Sequence, residues 1–309
     1  MTNTGYSKRT PIGVGLRHVH YDEALTIPAE LDFIEVHSEN FLAEGGAALM
    51  VLEEAAKLYS VSLHGTSLGL GSTAGISEQH LNSLVALVEK VSPIMVSDHA
   101  AFAWGDVNGQ LHHGGDLLPI AFNLNTLQTL SDNVNRVQQR LQRPILVENL
   151  SAYLTPEGSV WAETDFLNEL VEKTQCRLLV DLNNIAVNAI NHRKARASNT
   201  MTEAITQWVD KINPNAVGEI HLAGFSPVGV DDIVVDDHSQ PVSESVWQAY
   251  HHALTTFGPT PTLIEWDTHI PEWSVLIAET QKARVIAQQV ADKTSVSESL
   301  MDNKERQYG

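Results

Sequence analysis

Cysteine is nearly missing: Cys176 is the single one in 309 residues, so no disulfide can form within the chain, which fits a reducing compartment. Cations are scarce as well. Lys and Arg total 19 against 38 Asp and Glu, a formal net charge of -19, and they are scattered. A protein that grips phosphates needs a concentrated basic face, so no nucleic-acid partner is expected. No apolar run reaches the roughly 18 residues of a membrane helix, and residues 1–10 are polar with no apolar signal core. A cytoplasmic chain without a membrane partner is the expectation. There is no Pro/Gly/Ser-rich linker, no P-loop or Rossmann fingerprint, and no Ser/His/Asp order. The chain is therefore read as one domain over residues 11–291, with an extension at 1–10 and a polar, frayed tail at 292–309.

What the sequence does have is histidine, 14 in all, and a recurring motif in which a short apolar run ends in an ionisable side chain. The runs are Ser62-Leu63-His64, Ile94-Met95-Val96-Ser97-Asp98-His99, Ile145-Leu146-Val147-Glu148-Asn149, Leu178-Leu179-Val180-Asp181, Glu219-Ile220-His221 and Leu263-Ile264-Glu265. Their last residues fall about 30 to 50 positions apart, the length of one strand, loop, helix and loop. Residues 12–16 and 31–36 read as two earlier strands, giving eight. Helical spacing of apolar residues marks 47–59, 80–91, 124–141, 165–173, 201–212, 246–257 and 272–291. Residues 100–116, with Phe102, Trp104, His112 and His113, read as a long Gly-containing loop, and 223–244 as the longest excursion. Eight strands alternating with helices in a chain of this size predict a closed (β/α)8 TIM barrel, which takes about 250 residues.

In such a barrel the strand ends meet at one mouth. His64, His99, Glu148, Asp181, His221 and Glu265 then share a bowl, joined from a loop by Asp236 and His238. Asp236-x-His238 is a two-residue step that places both side chains on one side of an extended segment. Any one of these residues alone is more often a cap or hydrogen-bonding group; the joint pattern points to metal. Imidazoles mixed with carboxylates suit zinc, iron or manganese and not calcium. Eight candidates exceed the needs of one ion, so two or three ions bridged by carboxylates, with Glu148 central, are expected. Crowded carboxylates also need cations to sit together, in keeping with the acidic balance. Glu35, His37 and Glu39 are either further ligands or partners that orient them. His112, His113 and His192 read as substrate-facing or solvated, His251 and His252 as structural or exposed, and Cys176 as a buried apolar side chain.

The motifs Gly13-Val-Gly-Leu-Arg17, Asp32-Phe-Ile-Glu-Val-His-Ser-Glu-Asn-Phe41, Ser62-Leu-His-Gly65, Val147-Glu-Asn149, Asp181-Leu-Asn-Asn184, Glu219-Ile-His-Leu-Ala-Gly224 and Glu265-Trp-Asp267 resemble those of the DUF692 family. These are the multinuclear non-heme iron-dependent oxidative enzymes, one branch of which includes the methanobactin biosynthesis subunit. The resemblance runs in order over residues 11–283. It implies a barrel of the xylose-isomerase and endonuclease IV type in which His64, His99, Glu148, Asp181, Asn184, His221, Asp236, His238 and Glu265 bind two or three irons in mixed Fe(II)/Fe(III) valence; Asn184 enters by the resemblance alone. It also implies dioxygen-dependent oxidation of cysteine in a ribosomally made precursor peptide, to oxazolone with thioamide or to thiooxazole in copper-binding products. A separate partner protein would deliver the peptide. Asp267 is the candidate base. Two departures stand out: Ser97-Asp98-His99, where relatives carry Glu before the His, and the loop at 106–115. The alternatives are a metal-dependent phosphodiesterase, a sugar isomerase (for which no Lys ends a strand) and a non-catalytic metal-binding protein.

Overall fold

The computed structural model describes residues 9–192, 198–227, 229 and 232–308, with backbone alone at 198–199 and 296–308. Residues 1–8 of the expected extension lie outside it. In chain order the elements are β1 (Ile12–Gly15), α1 (Tyr21–Thr26), β2 (Phe33–His37), α2 (Ala47–Leu58), β3 (Ser60–His64), α3 (Glu78–Val91), β4 (Met95–His99), β5 (Ala101–Val107) and β6 (Gln110–Pro119). There follow α4 (Leu124–Leu141), β7 (Leu146–Glu148), α5 (Glu163–Thr174), β8 (Arg177–Asp181), α6 (Leu182–Asn191), α7 (Ser198–Val209), β9 (Val217–Leu222), α8 (Glu244–Phe257), β10 (Thr262–Ile264) and α9 (Trp273–Tyr308). Eight strands, all but β5 and β6, close a parallel barrel in the order β1-β10-β9-β8-β7-β4-β3-β2, the expected (β/α)8 architecture. Ser77, Asn123 and Ser243 start α3, α4 and α8 by accepting backbone N–H bonds on their side-chain oxygens.

Side chains alternate across each strand, and this alternation builds the site. Outward residues such as Val14, Val36, Leu63, Val96, Val147 and Val180 are buried against the helices, each contributing about 1.5–3 kcal/mol. Inward residues change character along the barrel. At its amino end Phe33, Met95, Leu146, Leu179 and Leu263 form a separate apolar plug. One inward step later come Glu35, Ser97, Glu148, Asp181 and Glu265. β1 faces inward with glycines because the space is taken: a Cβ on Gly13 would stand 2.7 Å from the Phe33 ring, and one on Gly15 3.0 Å from the Arg17 guanidinium.

Three expectations are corrected. Residues 100–116 are not a loop; β5 and β6 form an antiparallel hairpin between β4 and β7. Its turn is Asn108-Gly109, both at positive φ (56° and 78°), the pair that a tight hairpin favours. The register shifts between Phe102 and Trp104, where 114–117 of β6 stand against Ala103 alone. Trp104 Nε1 ties the hairpin to Ser67 O at 2.7 Å, and Ser72 Oγ accepts from Ala103 N and Trp104 N. None of the expected helices covers residues 182–191, which form α6, capped by Asp181 Oδ1 accepting from Asn184 N at 2.6 Å. The final helix does not stop near 291; with no Gly or Pro to end it, α9 continues to Tyr308.

Candidate metal centre

Six of the expected ligands stand at or just beyond the carboxyl ends of β3, β4, β7, β8, β9 and β10, and the structure brings them together. His64 Nε2 and His99 Nε2 lie 3.3 and 3.2 Å from the same oxygen, Glu148 Oε2. On the other side of Glu148 stand Asp181 and His221, and donor atoms of these three lie within 4.8 Å of one another. Asp181, His238 and Glu265 form a further such group. His238 Nδ1 is 3.3 Å from Glu265 Oε2, and its Nε2 is 2.9 Å from Asp236 Oδ1 and 3.9 Å from Asp181 Oδ2. Asn184 hangs from the first turn of α6; its Nδ2 donates to Glu148 Oε1 at 3.2 Å and to Asn149 O at 3.0 Å. That leaves the amide oxygen turned inward.

The donors fit a cation set. Glu148 Oε2, Asp181 Oδ2, Asn184 Oδ1 and His238 Nε2 are all buried without a hydrogen-bond partner, an arrangement that is costly unless an ion fills it. Burial, with the added charges of Asp181 and Glu265, drives Glu148 well above the usual carboxylate range. Burial likewise lifts Asp181 to about 7, aided by Asp236 and opposed by His238. Burial pulls His64 far below its ordinary value and His99 to about 4, so both keep neutral rings with a lone pair to offer. Burial also opposes charge on His221 and His238, yet Glu35 with Glu265, and Asp236 with Glu265, hold them as imidazolium. The carboxylates thus demand positive charge, and imidazolium meets the demand where no ion does.

Asp267, the expected base, is paired on both oxygens. Its Oδ1 accepts from Arg17 Nε at 2.9 Å and again from Arg17 Nη2, while Oδ2 lies 3.1 Å from His238 Nδ1. Burial and the Glu265 charge would raise its proton affinity, but Arg17 and His238 hold it at about 2. A carboxylate so tied is held in its charged form and fixes its two partners. Arg17, buried and also 3.4 Å from Glu265 Oε1, is a site residue that sequence reading passes over. His37 joins Glu265 and Asp267 in a further group. Glu39 instead organises the loop after β3, accepting from Thr66 N at 3.0 Å.

Other candidates lie away from the centre. His112 and His113 are exposed on β6, where His113 packs edge-on to Trp104. His192 is exposed at the end of α6, and His251 and His252 are half-buried on α8. Cys176 is buried, and its thiol is pushed up to about 11. Above the ligands opens a cavity of about 180 Å³ whose walls add Thr66, Asp116, Leu117, Ser151 and Tyr153. No helix among the described residues is long and apolar enough to cross a membrane.

Barrel and donor set together define a parallel (β/α)8 protein with clustered potential metal ligands at the carboxyl ends of its strands. Endonuclease IV from Thermus thermophilus is similar in fold, with a TM-score of 0.55 at 13% identity over 90% of this chain and 99% of that one. A D-tagatose 3-epimerase-like protein reaches 0.57 at 12% identity, covering 92% and 99%. The sequence goes further: residues 11–288 match the RiPP precursor modification enzymes MbnB/TglH/ChrH, and the chain belongs to that family. A UPF0276 protein of Vibrio parahaemolyticus is 41% identical over 288 residues, covering 93% of this chain and 96% of its own length. One from Chromobacterium violaceum is 43% identical over 275 residues, covering 89% and 94%.

Proposed function

We propose that this member of a precursor-peptide modifying family is an iron- and dioxygen-dependent oxidase of peptide cysteine. The observation that carries the reading is the set of buried, unpartnered oxygen and nitrogen donors gathered around Glu148. Two or three irons fit it. His64, His99 and Glu148 would hold one, Glu148, Asp181, His221 and Glu265 a second, and Asn184, Asp236 and His238 a third. Bound there in mixed valence, iron supplies one-electron redox chemistry and a route for electrons to dioxygen.

The protein's own part is positional. Arg17 and Asp267 fix His238, Asn184 fixes Glu148, and Asp181 is fixed as the cap of α6. The cavity over the donors has room for a side chain and not for a folded domain, which suits a cysteine on a flexible peptide. Asp116 and Leu117, on the irregular part of β6, form one wall, so the hairpin is placed to guide that peptide. Delivery by a separate partner protein is part of the proposal. Cysteine is the group oxidised, and dioxygen accepts its electrons.

The test is mass spectrometry of a cysteine-containing precursor incubated with its partner protein and with anaerobically iron-loaded enzyme, then exposed to dioxygen. A mass change confined to cysteine, absent with zinc-loaded enzyme and with Glu148→Gln, is expected. An unchanged peptide in the presence of iron and dioxygen would sink the reading. Zinc in the isolated protein, without a mixed-valent iron signal, would point to hydrolysis.

A further inference from the structure

Beside the metal centre, on the flank of the barrel, lies a second and larger cavity of about 410 Å³, lined by none of the nine expected ligands. Three segments each border both spaces. In the connection after β7, Ser151 and Tyr153 face the mouth, Ala152 and Leu154 face the flank cavity, and Leu150 lines both. On and after β6, Asp116 and Leu117 belong to the mouth, Pro119 and Ile120 to the flank. On α6, Asn184 belongs to the mouth, Ile185 and Asn188 to the flank. Residues 150–154 are thus a wall between the two cavities. Helix α6 fixes that wall: Asn188 Nδ2 donates to Leu150 O at 2.9 Å, and Asn188 Oδ1 accepts from Ala152 N at 2.7 Å. The crest of the wall is open and apolar, with Tyr153 and Leu154 48% and 61% exposed.

We propose that the flank cavity seats a large aromatic side chain of the precursor peptide, one bearing an N–H or O–H donor, a few positions from the cysteine that enters the mouth. The walls are mainly apolar, with Ile120, Phe122, Ile185 and Trp208 among them, and the volume lies within the roughly 300–1,000 Å³ of small-ligand pockets. Glu163, at the start of α5, is the one carboxylate that lines it. Trp208 Nε1 donates to Glu163 Oε2 at 2.8 Å, and among the described residues no hydrogen bond engages Oε1. Burial pushes the Glu163 carboxyl up to about 7 against the Trp208 bond; a second donor would favour its charged form. An apolar space with one open acceptor suits a side chain that is apolar over most of its surface and polar at one point.

The occupant is argued from continuity with the mouth. A peptide that crosses the crest at Tyr153 and Leu154 can send one side chain down on each side of the wall, since successive side chains of an extended chain point to opposite faces. The wall and both cavities are already formed, so the peptide alone is ordered on binding. The aromatic anchor then sets which cysteine of the peptide reaches the metal centre. Glu163 and Trp208 act on specificity and do not touch the reacting atoms. This inference rests on the reading that a peptide cysteine enters the mouth.

Two measurements test it without turnover. Zinc-loaded protein is titrated with dye-labelled alanine peptides that carry one cysteine and one tryptophan, the tryptophan stepped along both sides of the cysteine, and binding is read by fluorescence anisotropy. At one spacing tryptophan should tighten binding by about 10-fold or more over alanine. There 1-methyltryptophan, which lacks the donor, should lose part of the gain. Ala189→Trp, which fills the cavity from α6, should abolish the gain, and Glu163→Gln should reduce it to that of 1-methyltryptophan. Both variants should leave the affinity of the all-alanine peptide unchanged. Separately, crystals of the unaltered protein soaked in indole should show the ring against Trp208 with its N–H on Glu163 Oε1. No favoured spacing, a gain that survives Ala189→Trp, or a cavity without indole at saturation would overturn the proposal; the soak decides even if a variant fails to fold. Cysteine oxidised with the cavity empty would sink this proposal alone. Tryptophan and indole seated here, with cysteine left unoxidised by iron and dioxygen, would sink the oxidative reading alone.

Discussion

Replacing Arg17 by Met keeps a stem of similar shape and deletes the cation that serves two acids. Arg17 is 8% exposed, donates twice to Asp267 Oδ1 and lies 3.4 Å from Glu265 Oε1. Removing one partner of a buried pair strands the other and costs about 3–5 kcal/mol. The Asp267 side chain is 27% exposed, so water recovers part of that and the low end applies. Asp267 is held at about 2 against an ordinary 3.8 by Arg17 and His238 together, so Arg17 supplies part of that stabilisation and the low end again applies. A depressed carboxylate contributes above its unfolded value, here 3.8, and loses the contribution as pH falls through about 2. The effect is therefore full at pH 7. Urea unfolding of chelator-treated protein at pH 7 should show Arg17→Met weaker by about 2–3 kcal/mol. Adding Asp267→Asn should restore part of the loss, because less charge is left stranded. A variant within about 0.5 kcal/mol of the unaltered protein, or a double variant as weak as the sum of the singles, would refute this account of Arg17.

Asp98 is fully buried and raised to about 8, first by burial and then by Glu39. A raised carboxyl stabilises the fold below its unfolded value, here 3.8, and that contribution is lost as pH climbs through the folded value. Metal-free protein should weaken by up to about 1.36 kcal/mol per pH unit across that window. Asp98→Asn should flatten the dependence, and an unchanged slope would count against it. Cys176, at about 11 and 2% exposed, should resist a thiol reagent at pH 8 until the protein unfolds, and Cys176→Ala should still modify peptide; rapid native labelling would contradict its burial. Phe33→Ala should cost about 3–5 kcal/mol in urea unfolding, since Phe33 is fully buried in the barrel plug; a loss under about 1 kcal/mol would mean that the plug collapses around the gap.

The barrel and most of its donors were legible because inward positions repeat every second residue. Phe33, Glu35 and His37 on β2, or Met95, Ser97 and His99 on β4, pass from apolar to polar toward the mouth. The order of the runs then carries the topology. The hairpin was missed although Asn108-Gly109 signals it, because its glycines and histidines read as loop. α6 was missed because four asparagines are weak helix formers. Tertiary bonds outweigh that preference: Asn188 Nδ2 donates to Leu150 O, Asn191 Nδ2 to Val234 O, and Asn183 Nδ2 to Asp236 Oδ1. Arg17 was illegible as a site residue, since its partner Asp267 lies 250 positions away and nothing local marks the pair.

The plug of Phe33, Met95, Leu146, Leu179 and Leu263 turns the barrel into a vessel with one doorway. On the proposed reading, ions and peptide both enter from the carboxyl ends of the strands, and whatever enters last blocks what came before. Metal loading should therefore precede peptide arrival, and a seated peptide should slow both the uptake and the escape of ions.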